Sequence, residues 1–212
     1  MSVKPINIGV VGVGHLGMHH VKHYTTIPNV NLQGIYDPDV KRSNYVANKY
    51  KTVAFQSLKK LIRNVDGLSI VTPTPNHYKT AKLCIENKKH VFIEKPITVT
   101  LEEANKLLDL SKNNSTIIQI GHIERLNPAL MALEPYYINP KFIEIQRLAP
   151  YTVRGTDVPV VLDKMIHDID ILLSLVKSEV ASLEATGISI ITNSLDMAHA
   201  RIKFKNGTTA SL

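Results

Sequence analysis

The chain has one cysteine, Cys84, among its 212 residues. No internal disulfide can form, so a reducing compartment is expected. Cys84 sits in an apolar helical pattern and reads as a small buried residue, not a nucleophile. No uninterrupted apolar run approaches the ~20 residues of a membrane span. The N-terminus also lacks the long apolar core of a secretory signal. These absences predict a cytoplasmic protein without a membrane partner. The formal charge of +7 comes without a long basic run or interleaved aromatics, since the lysines are scattered as in Lys59-Lys60 and Lys88-Lys89. Nucleic acid is therefore not an expected partner. The charge reflects a lysine-rich composition or an anionic small substrate.

What the chain does have begins at Ile6. An apolar strand runs to Val11 and enters Gly12-Val-Gly14-His15-Leu16-Gly17, and Met18 to Tyr24 continues as a helix. In such a turn Gly12 permits the tight bend, Gly14 lets backbone amides approach a pyrophosphate, and Gly17 lets the helix pack against the strand. The next strand, Asn31 to Tyr36, ends at Asp37, twenty residues beyond Gly17. An acid there is placed to accept hydrogen bonds from the adenosine ribose and to repel a 2′-phosphate. NAD is thus expected over NADP, with Lys41 and Arg42 close enough to temper the preference.

Strand and helix patterns then alternate, which predicts a doubly wound α/β parallel sheet. Further strands are expected near Thr52–Phe55, Gly67–Val71, His90–Ile93 and Thr116–Ile120, giving six in all. Thr74 is expected to cap the helix that carries Tyr78, Ala81 and Ile85. Thr100-Leu-Glu-Glu103 reads as a capping box before a helix with Ala104, Leu107 and Leu108 inward. The dinucleotide domain spans 1–122 in this reading, and an α+β domain follows over 123–212. At the end of strand His90–Ile93 stands Glu94-Lys95-Pro96. A lysine there points into the crevice where a nicotinamide lies; by itself, Lys-Pro at a strand end is more often a turn with a solvated cation.

The second region contains Val161-Leu-Asp-Lys-Met-Ile-His-Asp-Ile-Asp170. Leu162, Ile166, Ile169, Leu173 and Val176 repeat at helical spacing and predict a buried stripe. Asp163, His167, Asp170 and Ser174 form a polar ridge beside it. A solvated face is the common meaning of such a ridge, and two ligands at this spacing lack the third that a metal needs. No metal is expected.

Taken together, the glycine turn, Glu94-Lys95-Pro96 and Asp163-x-x-x-His167 resemble the glucose-fructose oxidoreductase and inositol dehydrogenase family along the whole chain. The resemblance implies a Rossmann domain followed by a domain with a mostly antiparallel sheet, an NAD-dependent oxidation of a CH–OH group, and association of subunits through the second sheet. It implies Lys95, Asp163 and His167 as the catalytic group. It also sets Thr72, Pro73, His77 and Glu94 with Lys95 beside the cofactor, together with Gly12, Gly14, His15, Leu16, Gly17 and Asp37. Arg125, Asn127 and Arg147 are candidates for substrate or diphosphate contacts, and each is equally readable as a structural ion pair or cap. Within the family, Gly121-His-Ile-Glu-Arg125-Leu-Asn127-Pro128 and Asp157 to Asp170 are most similar to UDP-N-acetylglucosamine 3-dehydrogenases, which prepare the sugar for 3-amino lipid A precursors. A polyol or inositol dehydrogenase is the nearest alternative.

One feature departs from the family. Phe142–Leu148 alternates as a strand, and Ala198, Ala200, Ile202 and Phe204 share a face of another that turns at Asn206-Gly207. The return strand, Thr208–Leu212, has barely begun when the chain stops, whereas family members continue. The expectation is a fragment that keeps its cofactor site, with turnover in doubt; a cofactor-binding protein without turnover is the alternative class.

Overall fold

The computed structural model describes residues 4–150 and 158–212. Asp157, which opens one of the stretches carrying the resemblance, lies outside the described residues. The chain divides into two compact units, Met1–Gly121 and His122–Leu212. No helix among the described residues is long and apolar enough to cross a membrane.

The first unit is a five-stranded parallel sheet in the order β2-β1-β3-β4-β5. Its strands are β1 (Ile6–Val11), β2 (Val30–Tyr36), β3 (Gly67–Ile70), β4 (His90–Ile93) and β5 (Ile118–Ile120). The apolar runs of β1 and β3 need cover on both faces, as central parallel strands do. Helices α1 (His15–Tyr24) and α2 (Val40–Tyr50) cover one face, where Val21, Val46 and Ala47 pack on Val10, Val13 and Ile35. Helices α3 (Leu58–Arg63), α4 (His77–Glu86) and α5 (Leu101–Asn114) cover the other, where Leu61, Ala81, Cys84, Ile85 and Leu107 meet Val11, Leu68, Ile70, Val91 and Ile93. Each fully buried aliphatic side chain contributes about 1.5–3 kcal/mol. Because β2 lies on one side of β1 and β3 on the other, the strand order reverses between β1 and β3. Ligands of open α/β sheets bind at that point.

Three expectations fail here. The stretch Thr52–Phe55 makes a single bridge, Ala54 with Ile35, so the sheet has five strands and not six. The stretch passes close over β2, where a Cβ on Gly34 would lie 2.4 Å from the Phe55 ring, and pairs only around Ile35. Thr74 does not cap α4, because it is buried inside a short 3₁₀ turn, Thr74–Asn76, that precedes the helix. Leu108 is 46% exposed while Ala104 and Leu107 are buried, so α5 turns a narrower face inward. The predicted capping box is half present: Thr100 accepts the Glu103 amide at 3.2 Å.

The second unit contains a short helix α6 (Pro128–Met131), a helix α7 (Ile166–Leu175) and a four-stranded sheet in the order β6-β9-β8-β7. The strands are β6 (Phe142–Glu144), β7 (Val180–Ile188), β8 (Met197–Phe204) and β9 (Thr209–Ser211). β7–β8 and β8–β9 are antiparallel and β6–β9 is parallel, so the sheet is mixed and mostly antiparallel. The alternation of β8 buries Ala200, Ile202 and Phe204 against Leu172 and Val176 of α7. β8 and β9 join through Asn206-Gly207, where Gly207 takes φ +86°, a conformation that favours glycine. Regular pairing of β6 stops at Glu144, short of the predicted Leu148. The nine-residue β7 is exposed along its length and carries no alternation, which is why the sequence pattern misses it.

A wide π turn, Val161–Met165, leads into α7. The buried stripe runs through Met165, Ile169, Leu172 and Val176, while Leu173 is 47% exposed, which corrects the predicted Leu162-Ile166-Ile169-Leu173-Val176 stripe; Leu172 and Leu173 fit helical spacing between Ile169 and Val176 equally well.

Candidate active site

Within the first unit, the ends of β1, β3 and β4 meet at the strand-order reversal. Gly12 has φ +84°, and a Cβ there would lie 2.6 Å from the Val71 carbonyl at the end of β3. A Cβ on Gly17 would lie 2.0 Å from the Gly12 carbonyl, so both glycines are required by packing inside the protein. Gly14 differs. A Cβ there would meet nothing nearer than the Arg42 Nη1 at 3.9 Å, so the absent side chain leaves a cradle open toward solvent. Gly14 is also the first residue before α1, which has no side-chain cap and no acid in its first turn, and His15 and Leu16 are exposed at its crest. Uncapped amides and an open approach fit an anionic pyrophosphate. The residues present therefore fit a dinucleotide.

Asp37 is 6% exposed. One carboxylate oxygen accepts the Val13 amide at 2.9 Å, and the other accepts the Asp39 amide at 2.9 Å. The acid expected to hold the ribose is thus also the clasp that closes the glycine turn. Arg42 reaches across with Nη1 at 3.5 Å from Asp37 and Nη2 at 2.9 Å from Asp39. Asp39 caps α2 through the Arg42 amide, which holds the Asp39 carboxyl below the usual carboxylate range.

Glu94-Lys95-Pro96 leaves β4 beside the β3 end, tied by the Glu94 amide to the Ile70 carbonyl at 3.0 Å. Lys95 is half-buried between two anchored neighbours. The Glu94 carboxylate meets the His20 Nε2 of α1 at 3.0 Å. The other ring nitrogen of His20 is 2.9 Å from the Ser69 hydroxyl, which is fully buried on β3. If Nε2 donates to the carboxylate, the neutral ring accepts from the serine, so every group is satisfied. Tyr24 lies one turn further along α1, and burial pushes its phenol above the ordinary value. Gly121, at the end of β5, leaves room for this carboxylate: a Cβ there would come within 2.9 Å of Glu94 Oε1. On the opposite side, the Pro96 carbonyl lies 2.8 Å from His77 Nδ1, whose Nε2 is 2.8 Å from the Thr72 carbonyl. One of these contacts is a hydrogen bond in either neutral tautomer, and both are in the imidazolium. His77 is 1% exposed. It packs between the protein's own loops; Thr72 is half-buried and Pro73 exposed in the loop beside it.

Within the second unit, Asp163 lies in the π turn and His167 in the first turn of α7, both half-buried. The two are thus not stacked one α-turn apart on a single regular helix, as the spacing predicted. π turns inserted before α-helices are frequent at functional sites. Asp163 has the Lys164 ammonium at 3.2 Å. Asp170, expected on a ridge, is buried and receives Arg125 Nε and Nη2, each at 2.6 Å, with His122 Nδ1 at 3.8 Å. Asp168 is 4% exposed and receives Arg147 Nε at 2.8 Å and Nη2 at 2.7 Å. These forked pairs raise both guanidinium pKa values, chiefly through the hydrogen bonds. Asn127 accepts the Ala129 amide at 3.0 Å and caps α6. All three candidate substrate contacts thus have structural partners, the ion-pair and cap reading of each.

His20, Ser69 and Asp168 escape sequence reasoning. Two acids in the apolar Ile166-His-Asp-Ile-Asp-Ile171 were the available signal, since buried carboxylates demand cations. For His20 there was none, because α1 carries His15, His19, His20 and His23 alike.

Residues 6–122 match the GFO/IDH/MocA oxidoreductase family, described as having an NAD-binding Rossmann fold. The chain is 38% identical over 205 residues to the UDP-N-acetylglucosamine 3-dehydrogenase of Acidithiobacillus ferrooxidans, covering 96% of this chain and 65% of that protein. It is 28% identical to the scyllo-inositol 2-dehydrogenase (NAD(+)) of Bacillus subtilis, covering 98% of this chain and 66% of that one. A solved structure of the Acidithiobacillus enzyme superposes with a TM-score of 0.92 at 37% identity, over 99% of this chain and 67% of that chain. The chain thus spans about two thirds of the length of these relatives. It belongs to this NAD-binding oxidoreductase family, and its cofactor is NAD.

Proposed function

We propose that the protein oxidises the 3-hydroxyl of UDP-N-acetylglucosamine to a 3-keto sugar nucleotide. One observation carries this reading: the similarity to a UDP-N-acetylglucosamine 3-dehydrogenase runs through 96% of the chain, including the half that bears Asp163 and His167, at 38% identity against 28% for an inositol dehydrogenase. NAD, when bound, supplies the hydride acceptor. His167 takes the hydroxyl proton, a task suited to an imidazole that titrates near neutrality. Asp163 binds the sugar or orients that ring. Lys95 donates to the reacting oxygen and stabilises the negative charge that develops as the carbonyl forms. The glycine turn and Asp37 hold the dinucleotide. Asp37 favours NAD over NADP. We assign the protein to the cytoplasm, its product to the supply of 3-amino lipid A precursors, and its exposed β7–β8 surface, with Leu183, Ile188 and Met197, to contact with a second copy.

Labelled substrate tests the regiochemistry. With deuterium at C3 of the sugar, the label should pass to the reduced cofactor. Label retained at C3 while NADH accumulates would mean oxidation at a different carbon.

A further inference from the structure

The catalytic assignment leaves two nearly buried histidines of the first unit without a role, and both grip residues next to Lys95. His20 comes from α1, which packs in the core layer of Val10, Val13 and Ile35. His77 opens α4, which packs in the opposite layer with Ala81, Cys84 and Ile85. From one side His20 holds the Glu94 carboxylate at 3.0 Å and is itself fixed by Ser69 at 2.9 Å. From the other side the His77 ring lies between two carbonyls, Pro96 at 2.8 Å from Nδ1 and Thr72 at 2.8 Å from Nε2, and donates to at least one of them.

We propose that His20 and His77 are positioning residues, a two-sided clamp that sets the direction of Lys95 by gripping the residues immediately before and after it. The proposal rests on the functional reading only in taking Lys95 as the group that meets the reacting oxygen. The reason for a clamp is physical. A lysine ends in a flexible four-carbon stem, and its backbone corner here stands at the end of a four-residue strand. Holding both flanking residues removes the local motion that would blur the ammonium position, and small displacements of a reacting group are costly in rate. The grips are unequal. His20 acts on a charged side chain through a neutral or charged ring, and Gly121 leaves the space in which that carboxylate sits. His77 packs between backbone carbonyls of the β4 exit and the Thr72 loop, so its contacts do not depend on the side chains these residues carry.

Amide exchange read by mass spectrometry, NAD titration calorimetry and turnover, all on the same variants, provide the test. In His20→Ala and His77→Ala, exchange across residues 93–98 should quicken about tenfold or more while the β1–β2 region keeps its protection. NAD affinity should stay within about threefold, and kcat should fall about 10²-fold. His20→Gln, which returns a donor toward Glu94, should recover part of the lost rate. Glu94→Gln leaves both helices intact and keeps the proposal testable if either alanine variant fails to fold; combined with His20→Gln it should cost little more than either change alone. Unchanged exchange across 93–98 in the folded variants, or losses that simply add between His20 and Glu94, would overturn the clamp. Faster exchange at 93–98 in a protein that oxidises no sugar nucleotide would support the clamp and count against the functional reading alone.

Discussion

Asp37 and Val13 are joined across 24 residues by a 2.9 Å hydrogen bond from the Val13 amide to a carboxylate that is almost wholly enclosed. The side chain proposed to hold the ribose therefore also shapes the glycine turn, and its loss should act on both. Asp37→Ala should lower NAD affinity, narrow the gap to NADP, and destabilise the first unit by about 1–3 kcal/mol, because two backbone donors lose their acceptor. Calorimetric titration with both dinucleotides and denaturant unfolding check these outcomes. Tighter binding of NADP than NAD by the unsubstituted protein contradicts the assignment of Asp37.

The three glycines should separate fold from binding. Gly17→Ala places a carbon where the Gly12 carbonyl already lies, so a loss of stability of about 1–3 kcal/mol or more is expected. Gly14→Ala meets only the end of the Arg42 side chain, at an ordinary 3.9 Å contact, so the melting temperature should hardly move while NAD binding weakens markedly. Equal loss of stability in both variants would show that the cradle at Gly14 is an internal contact after all.

The two acids of α7 should prove structural. Asp168→Asn and Asp170→Asn each leave an arginine without its forked partner, and breaking a buried pair costs about 3–5 kcal/mol when both ions are enclosed. Arg147 and Arg125 remain partly exposed, at 37% and 55% of their side chains, so a smaller loss is expected here. Urea unfolding of the second-unit signal measures it.

Cys84 should be silent in the native state. Burial pushes its thiol up to about 12, so at pH 8 it stays protonated and shielded from thiol reagents. The sign of the linkage follows: the folded pKa lies above the unfolded one near 9, so the two states bind protons equally at neutral pH, and this group lowers stability as pH rises from about 9 toward 12. Thiol labelling at pH 8 should track global unfolding. Rapid labelling of the folded chain would contradict the burial of α4.

Much of this molecule was legible from its residues, and the failures share a cause. The glycine turn, Asp37 and the β8 alternation are local patterns with one physical meaning each. The π turn at Val161–Met165 is not, because one extra residue per turn leaves no mark on composition; nor does spacing choose between Leu172 and Leu173, either of which fits a stripe with Ile169 and Val176. The near-strand at Ala54 has strand-like residues but pairs with β2 only around Ile35, and how far a pairing between segments about twenty residues apart extends is not written in local sequence. His20 and His77 act through partners 74 and 19 residues away in sequence, at Glu94 and Pro96, which no spacing rule reveals.

The catalytic assignment predicts a division of labour. Lys95→Ala and His167→Ala should each lower kcat by about 10²- to 10⁴-fold, since both are assigned to the reacting oxygen, and His167→Ala should leave NAD affinity nearly unchanged. Near-normal turnover in either variant removes that residue from the chemistry.

The central claim is tested most directly by following NADH formation by the protein with UDP-N-acetylglucosamine and with myo-inositol in parallel. The account predicts saturable reduction of NAD with the sugar nucleotide, a lower kcat/KM with inositol, and loss of the signal in His167→Ala. Preferential oxidation of inositol, or no reduction with the sugar nucleotide by a protein that binds NAD, would contradict it.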